Sequence, residues 1–516
     1  MQTHEQCRAF FLIFSLTLTV PVTACSDAGG YDEAAGPGAV GVGQGGAQDF
    51  GQFRKILDSG QIPGPQTLDD VGFFNEHKIE LPPADCDGTV CLHGQLGVMG
   101  NMITGSNCTL VLLGMNTPVD PSRFERPPLN LAVAIDTSGS MAGEPITYVR
   151  EGLFRMLGAL EPDDRVSIVT FDTDAEVVAE HASGDSAELA LAIGGLRASG
   201  MTNLYAGLQT AYQVVEAHAD DSRQNRVILL SDGEATTGIV NDARLVEMSR
   251  LYNARGLGLT TIGVGQQFDP TLMRQLAESG SGAFYFLEDP SAVEEVFEEE
   301  VQSFLVPLAQ ELRIELDIDP GYWLRAIYGT KLFEMHGQSA VIEIPSVQIA
   351  HRRSVSEQDG VGRRGGGGAI IAELVPRSIA SVQEQGTVGR LGMRYRTPGE
   401  DGTVEQLAAI TSPLAPGELP ERGHFSGGGV EKAFVMLNIY AGFEMAATRA
   451  AIGDESGALA VLEPLALSVD AWLADNPDHD IEDDLGYVRK FIANLVARGA
   501  QSPPREKNPP EPWPLD

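Results

Sequence analysis

Residues 129–146 read LNLAVAIDTSGSMAGEPI, and the fold turns on how this stretch is read. From Leu129 to Ile135 the run is apolar apart from Asn130, the pattern of a strand covered on both faces. It stops at Asp136. Thr137, Ser138, Gly139 and Ser140 follow, and Pro145 opens a helical pattern at a position where its missing N–H costs nothing. A buried strand that ends in an acid and several hydroxyls sets hard oxygen atoms at the rim of a sheet.

Further strands are expected at 165–171, 227–231, 259–264 and 283–287. Helical spacing is expected near 146–160, 186–193, 204–218, 243–254, 270–278 and 291–304. Strands alternating with helices predict an α/β, Rossmann-like fold with a doubly wound, mostly parallel sheet. In such sheets ligands bind beyond the carboxyl ends of the strands, where loops converge. Two other loops are expected at the same edge: SGMTN, with Thr202 just before a helix, and LLSDGEAT, with Asp232 closing an apolar strand. Asp136, Ser138, Ser140, Thr202 and Asp232 together supply two carboxylates and three hydroxyls. That set suits Mg2+, which takes octahedral oxygen coordination near about 2.0–2.1 Å and usually retains water. Mn2+ or Ca2+ can replace it, whereas zinc suits the set poorly. The bound ion keeps residual positive charge and can accept an Asp or Glu from a partner.

The pattern D-x-S-x-S at Asp136, Ser138 and Ser140, then Thr202, then Asp232 in SDG, resembles the metal-ion-dependent adhesion site of von Willebrand factor A (VWA) domains. The resemblance covers residues 127–304. FRKILDSGQIP and VGFFNEHKIELP are similar to the N-terminal region of bacterial lipid-anchored VWA proteins, and residues 307–498 to their C-terminal companion region. Met201 departs from the small residue often found before the site threonine. The resemblance implies a divalent-cation-dependent protein-binding module rather than an enzyme. Its plainer counterpart is an envelope scaffold whose ion merely steadies three loops. A metal-dependent hydrolase is the third reading, but no general base is identifiable beside the candidate site.

After Pro307 the period changes to two, with Leu312, Ile314, Leu316 and Ile318 alternating with polar residues. Similar runs at 340–344, 370–375 and 390–396 predict an antiparallel β-sandwich over 307–412. Strand-like runs at 96–99 and 109–115, within an N-terminal region spanning 50–126, are expected to join it, with the α/β unit inserted between sandwich strands. The segment 352–368 reads as a glycine-rich surface loop. Three amphipathic helices are expected within 430–498, broken at Gly453 and Pro477. GHFSGGG reads as a polar turn capping the first of them, and acids around Asp478–Asp484 as the N-terminus of the third. The proline-rich tail 502–516 is expected to be disordered.

The apolar stretch at 9–22 is too short to span a bilayer comfortably and reads as the core of a signal peptide, 1–24. Val22-Thr23-Ala24-Cys25 resembles a bacterial lipobox, which implies lipidation of Cys25 and a glycine-rich tether over 25–49. Ser26, rather than an acid, implies an outer-membrane destination. Cys86, Cys91 and Cys108 then remain in a disulfide-permissive compartment. The spacing CDGTVC suits a Cys86–Cys91 loop, and pairing of either with Cys108 stays open. The formal charge of −37, from 72 acids and 35 bases, argues against nucleic acid as a partner.

Overall fold

A computed structural model describes residues 40–44, 46, 47, 50–120, 127–232, 235–264, 270–287, 307–349, 368–377, 386–398 and 402–502. The expected signal peptide, Cys25, the helix at 291–304, nearly all of the 352–368 loop and the tail beyond Ser502 lie outside these residues. The N-terminal part holds β1 (Val40–Gln44), β2 (Gly46–Ala47), α1 (Gly51–Asp58), α2 (Asp70–Asn75), β3 (Cys91–Gly100) and β4 (Asn107–Thr117). The α/β part follows with β5 (Leu129–Asp136), α3 (Glu144–Ala159), β6 (Arg165–Phe171), β7 (Ala175–Ser183), α4 (Ala187–Gly195) and α5 (Leu204–Ala217). It continues through β8 (Gln224–Ser231), α6 (Asp242–Asn253), β9 (Leu257–Val264), α7 (Pro270–Ser279) and β10 (Ala283–Leu287).

These strands form a seven-stranded sheet in the order β2-β10-β9-β8-β5-β6-β7, parallel except where β7 runs against β6. β5 lies between β6 and β8, and all eight of its residues are buried. Its pleat sorts large from small. Leu131, Val133 and Ile135 pack into the layer holding Ile146, Val149 and Leu153 of α3. Ala132 and Ala134 face Leu204, Leu208 and Tyr212 of α5. Fully burying each of the large residues contributes about 1.5–3 kcal/mol.

The second half supplies β11 (Pro307–Ile318), β12 (Tyr322–Tyr328), β13 (Phe333–His336), β14 (Ser339–Ile349), β15 (Ile370–Pro376), β16 (Gly386–Arg396), β17 (Val404–Ser412) and β18 (His424–Phe425). Together with β1, β3 and β4 these strands pair antiparallel, along the path β12-β15-β4-β1-β14-β11-β16-β17. β4 pairs with β15 in register Leu112↔Ile371, so strands on both sides of the α/β part in sequence share one sheet. The chain ends in α8 (Gly428–Ala451), α9 (Glu455–Asp475) and α10 (His479–Ala497), whose buried faces share a core with α1 and α2 through Phe53, Phe73, Phe443 and Phe491. Gly453, at φ +82°, turns the chain between α8 and α9.

Two expectations need correction. The glycine-rich stretch assigned to a tether through residue 49 contains β1, which pairs with β4 on one side and β14 on the other. Val42 and Gln44 are buried there, on either side of Gly43. GHFSGGG is likewise not a capping turn. His424 pairs opposite Val98 of β3, Ser426 exchanges hydrogen bonds with Leu96, and the α8 N-cap, Gly427, has no side chain to offer. Cys86 and Cys91 form a disulfide, and Cys108 is a buried free thiol.

Candidate metal centre

The carboxyl ends of β5 and β8 and the loop before α5 meet at one rim of the parallel sheet. Asp136 is the last residue of β5, fully buried. Its Oδ1 accepts the Ser138 N–H at 2.8 Å, folding the chain back at once, and its Oδ2 accepts the Ser231 hydroxyl at 2.6 Å. A 3-10 turn, Gly139–Met141, then carries Ser140 around the same corner. The Ser140 hydroxyl donates to Asp232 Oδ1 at 2.8 Å, and the Ser138 and Ser140 hydroxyls lie 3.0 Å apart. With the Ser140 proton committed to Asp232, Ser138 donates to Ser140. Four of the five expected residues are thus joined by direct hydrogen bonds.

Thr202 enters from the third loop and is buried. Its N–H donates to the Thr236 hydroxyl at 2.9 Å, and its carbonyl accepts the N–H groups of Thr236 and Thr237 at 2.9 and 3.2 Å. Thr137 takes Ser199 N–H on its carbonyl at 2.7 Å, and Gly139 N–H donates to Gly200 O at 3.1 Å, which fastens the second loop to the first. Asn203 caps α5 by accepting Ala206 N–H on Oδ1 at 3.2 Å. Met201 stands beside the site with half of its surface exposed.

Burial raises the pKa of Asp136 above the usual carboxylate range, against hydrogen bonds from Ser231 and Ser138, and the charge of Asp172 adds to the rise. Asp232 is pushed up to about 6, first by burial and then by the charge of Asp136, with the Ser140 hydrogen bond opposing. Neither acid draws on a Lys or Arg among the described residues for relief. Two desolvated carboxylates joined only through hydroxyls and backbone amides are a donor set that a hard divalent cation fits, because its charge offsets both penalties. Among the described residues no group of three or more His, Cys, Asp or Glu side chains is placed to hold a metal ion, so an ion at this rim would rest on two carboxylates supplemented by hydroxyls.

Ser231, Asp172 and Thr236 belong to the surroundings of this site without having been singled out from sequence. Ser231 was visible as the neighbour of Asp232. Asp172 and Thr236 reach the rim only through the folding of their loops, which no local pattern announces.

Residues 130–299 match the family of von Willebrand factor type A domains. The chain carries a VWA domain. The uncharacterized protein YfbK of Escherichia coli (strain K12) is 30% identical over 206 residues, which cover 39% of this chain and 36% of YfbK. The uncharacterized protein sll0103 of Synechocystis sp. is 25% identical over 349 residues, or 66% of this chain and 78% of sll0103. The match thus spans little more than a third of YfbK but most of sll0103. A solved von Willebrand factor type A structure from Catenulispora acidiphila has a TM-score of 0.49 at 15% identity, covering 80% of this chain and 96% of that one. The VWA domain here is the part built on β5–β10, and the candidate site described above lies within it.

Proposed function

We propose that this chain is an envelope-anchored module that binds a protein partner through a divalent cation held by Asp136, Ser138, Ser140, Thr202 and Asp232. The observation that supports this most directly is the pair of buried acids, Asp136 and Asp232, linked through Ser138 and Ser140 with no basic side chain among the described residues to balance them. A bound cation supplies that balance. Mg2+ is the natural occupant because all donors are hard oxygens, with Mn2+ or Ca2+ as alternatives. The ion's residual charge is then offered at the rim to an Asp or Glu of the partner, as the VWA family suggests. The chemistry proposed for the site is binding; among the described residues no nucleophile and base pair flanks it.

The test is affinity capture from envelope extracts with wild type in Mg2+, wild type in EDTA and Asp232→Ala in Mg2+. A partner recovered only by wild type in Mg2+ supports the reading. Equal recovery in all three reduces the ion to a loop brace. The anchoring half of the proposal predicts that Cys25→Ser releases the protein from the membrane fraction; continued membrane retention of that variant would contradict it.

A further inference from the structure

Between α5 and α6 lies a groove of about 490 Å³, lined by Tyr205, Ile239, Met248, Leu251 and Tyr252, with Arg244 at its rim. We propose, taking the cation site as a partner-binding site, that this groove is the second half of the same docking surface and takes a bulky apolar side chain from an acidic segment of the partner.

The groove begins where the cation site ends. Tyr205 follows Thr202 by three residues in the first turn of α5, and Ile239 follows Thr236, whose N–H and hydroxyl both bond to Thr202. Three residues of chain reach at most about 11 Å, so a peptide with a carboxylate on the ion has the groove within a few residues' reach. The loop between them is held tightly: Gly238 sits at φ +72°, and a Cβ there would meet Asn203 Oδ1 at 2.3 Å. The chain leading to Ile239 is therefore packed directly against the residue that follows Thr202.

Its composition sets the occupant. Leu251 is 48% exposed and the neighbouring Val240 52%. Exposed aliphatic side chains beside two tyrosines form a surface that favours an apolar or aromatic ligand group. The charges nearby do not repel an acid. Glu247 is tied up by Arg250 through two hydrogen bonds at 2.7 and 2.8 Å, and Arg255 pairs with Glu216 at 2.8 Å while lying over the Tyr252 ring. Arg244 has no ion-pair partner among the described residues. One uncompensated cation on the groove, in a chain of net charge −37, beside a site built for a metal ion, selects an acidic segment rather than a basic one.

The probe is a random dodecapeptide phage library panned on the full chain in Mg2+, followed by synthetic peptides of the enriched sequence. The expected consensus has an Asp or Glu within a few residues of Trp, Phe or Leu. Replacing that apolar residue by Ala should weaken binding about tenfold on wild type and have little effect on Leu251→Asp, whose Mg2+ affinity stays that of wild type. Ala243→Trp, which fills the groove from α6, should weaken the parent peptide similarly. Peptides whose affinity depends on Mg2+ but ignores both the apolar residue and Leu251→Asp would overturn the groove while leaving the cation site intact. Peptides that keep the Leu251 dependence but bind equally in EDTA would instead sink the cation reading. Failure to enrich any acidic-apolar consensus would overturn the groove proposal outright.

Discussion

Asp232 is the residue on which the site's energetics turn. Without a cation its charge lies close to that of Asp136, in surroundings that already penalise it. Asp232→Asn should therefore abolish stabilisation by Mg2+ and yet raise the melting temperature in EDTA by about 2 °C, as roughly 1 kcal/mol of repulsion is removed. Differential scanning fluorimetry with and without Mg2+ checks both halves, and a fall in EDTA would contradict the repulsion. Ser231 makes a second case. Its hydroxyl orients Asp136 without being a candidate ligand, so Ser231→Ala should weaken Mg2+ binding by about tenfold while the fold persists, measured by calorimetric titration. At this scale the sequence was informative where a side chain's own chemistry singles it out, as for Asp136 and Asp232, which the fold brings to one rim. It was silent where a residue acts by orienting another, because a serine hydroxyl looks the same in either role.

Helix α5 shows how an element places a candidate ligand. Thr202 and Asn203 stand at its start, and its distance from the sheet is set where Gly207 crosses Phe171: an added Cβ would lie 2.3 Å from the ring. A helix-interior Gly→Ala change ordinarily stabilises by about 1 kcal/mol. Here the buried ring cannot give way cheaply, so Gly207→Ala should instead cost about 1–3 kcal/mol in urea unfolding and weaken Mg2+ binding, since the Thr202 loop shifts with the helix. A gain in stability would show that α5 is less tightly seated than described. The parallel strands and α3–α7 were readable because continuous apolar runs and helical spacing are strong signals, and their observed limits fall within a few residues of those expected. β7 was missed. Its burial alternates weakly, and His181, at φ +49°, breaks the register opposite Ser167. β1 was missed because glycine carries no hydrophobic pattern, although its pairing on both sides fixes it in the sheet.

At the scale of the molecule, buried ionic contacts join parts far apart in sequence. Asp69, before α2, pairs with Arg274 of α7, whose Nε lies 3.9 Å from Glu278. Asp70 binds Lys331 and the Gly329 N–H, His77 binds Asp484 of α10 at 2.8 Å, and Lys432 of α8 reaches both Asp478 and Asp480 at 2.8 Å. Thus the α10 acids do more than favour a helix N-terminus. Burial, reinforced by the charge of Asp69, pushes Glu278 up to about 8, with Arg274 opposing. Its folded value exceeds the unfolded one, so folding takes up a proton across this range. Stability from this group is present below about pH 4.5 and is lost as pH rises towards about 8. Glu278→Gln should flatten that decline, worth about 3 kcal/mol at most, in urea unfolding between pH 5.5 and 8.5. An unchanged pH slope would place the effect elsewhere. The contacts of Asp69, Asp70 and His77 were not legible beforehand, since partners some 200 to 400 residues apart are brought together only by the completed fold.

The central place of β5 has a mechanical consequence. The chain enters this strand at Leu129 and reaches the rim at Asp136, with β6 and β8 bonded along both of its sides. Tension applied between the rim and the chain entering at the opposite end runs lengthwise along β5. Such a load stretches its two ladders together in shear instead of peeling them one bond at a time. The strand that ends in Asp136 is thereby suited to bear tension.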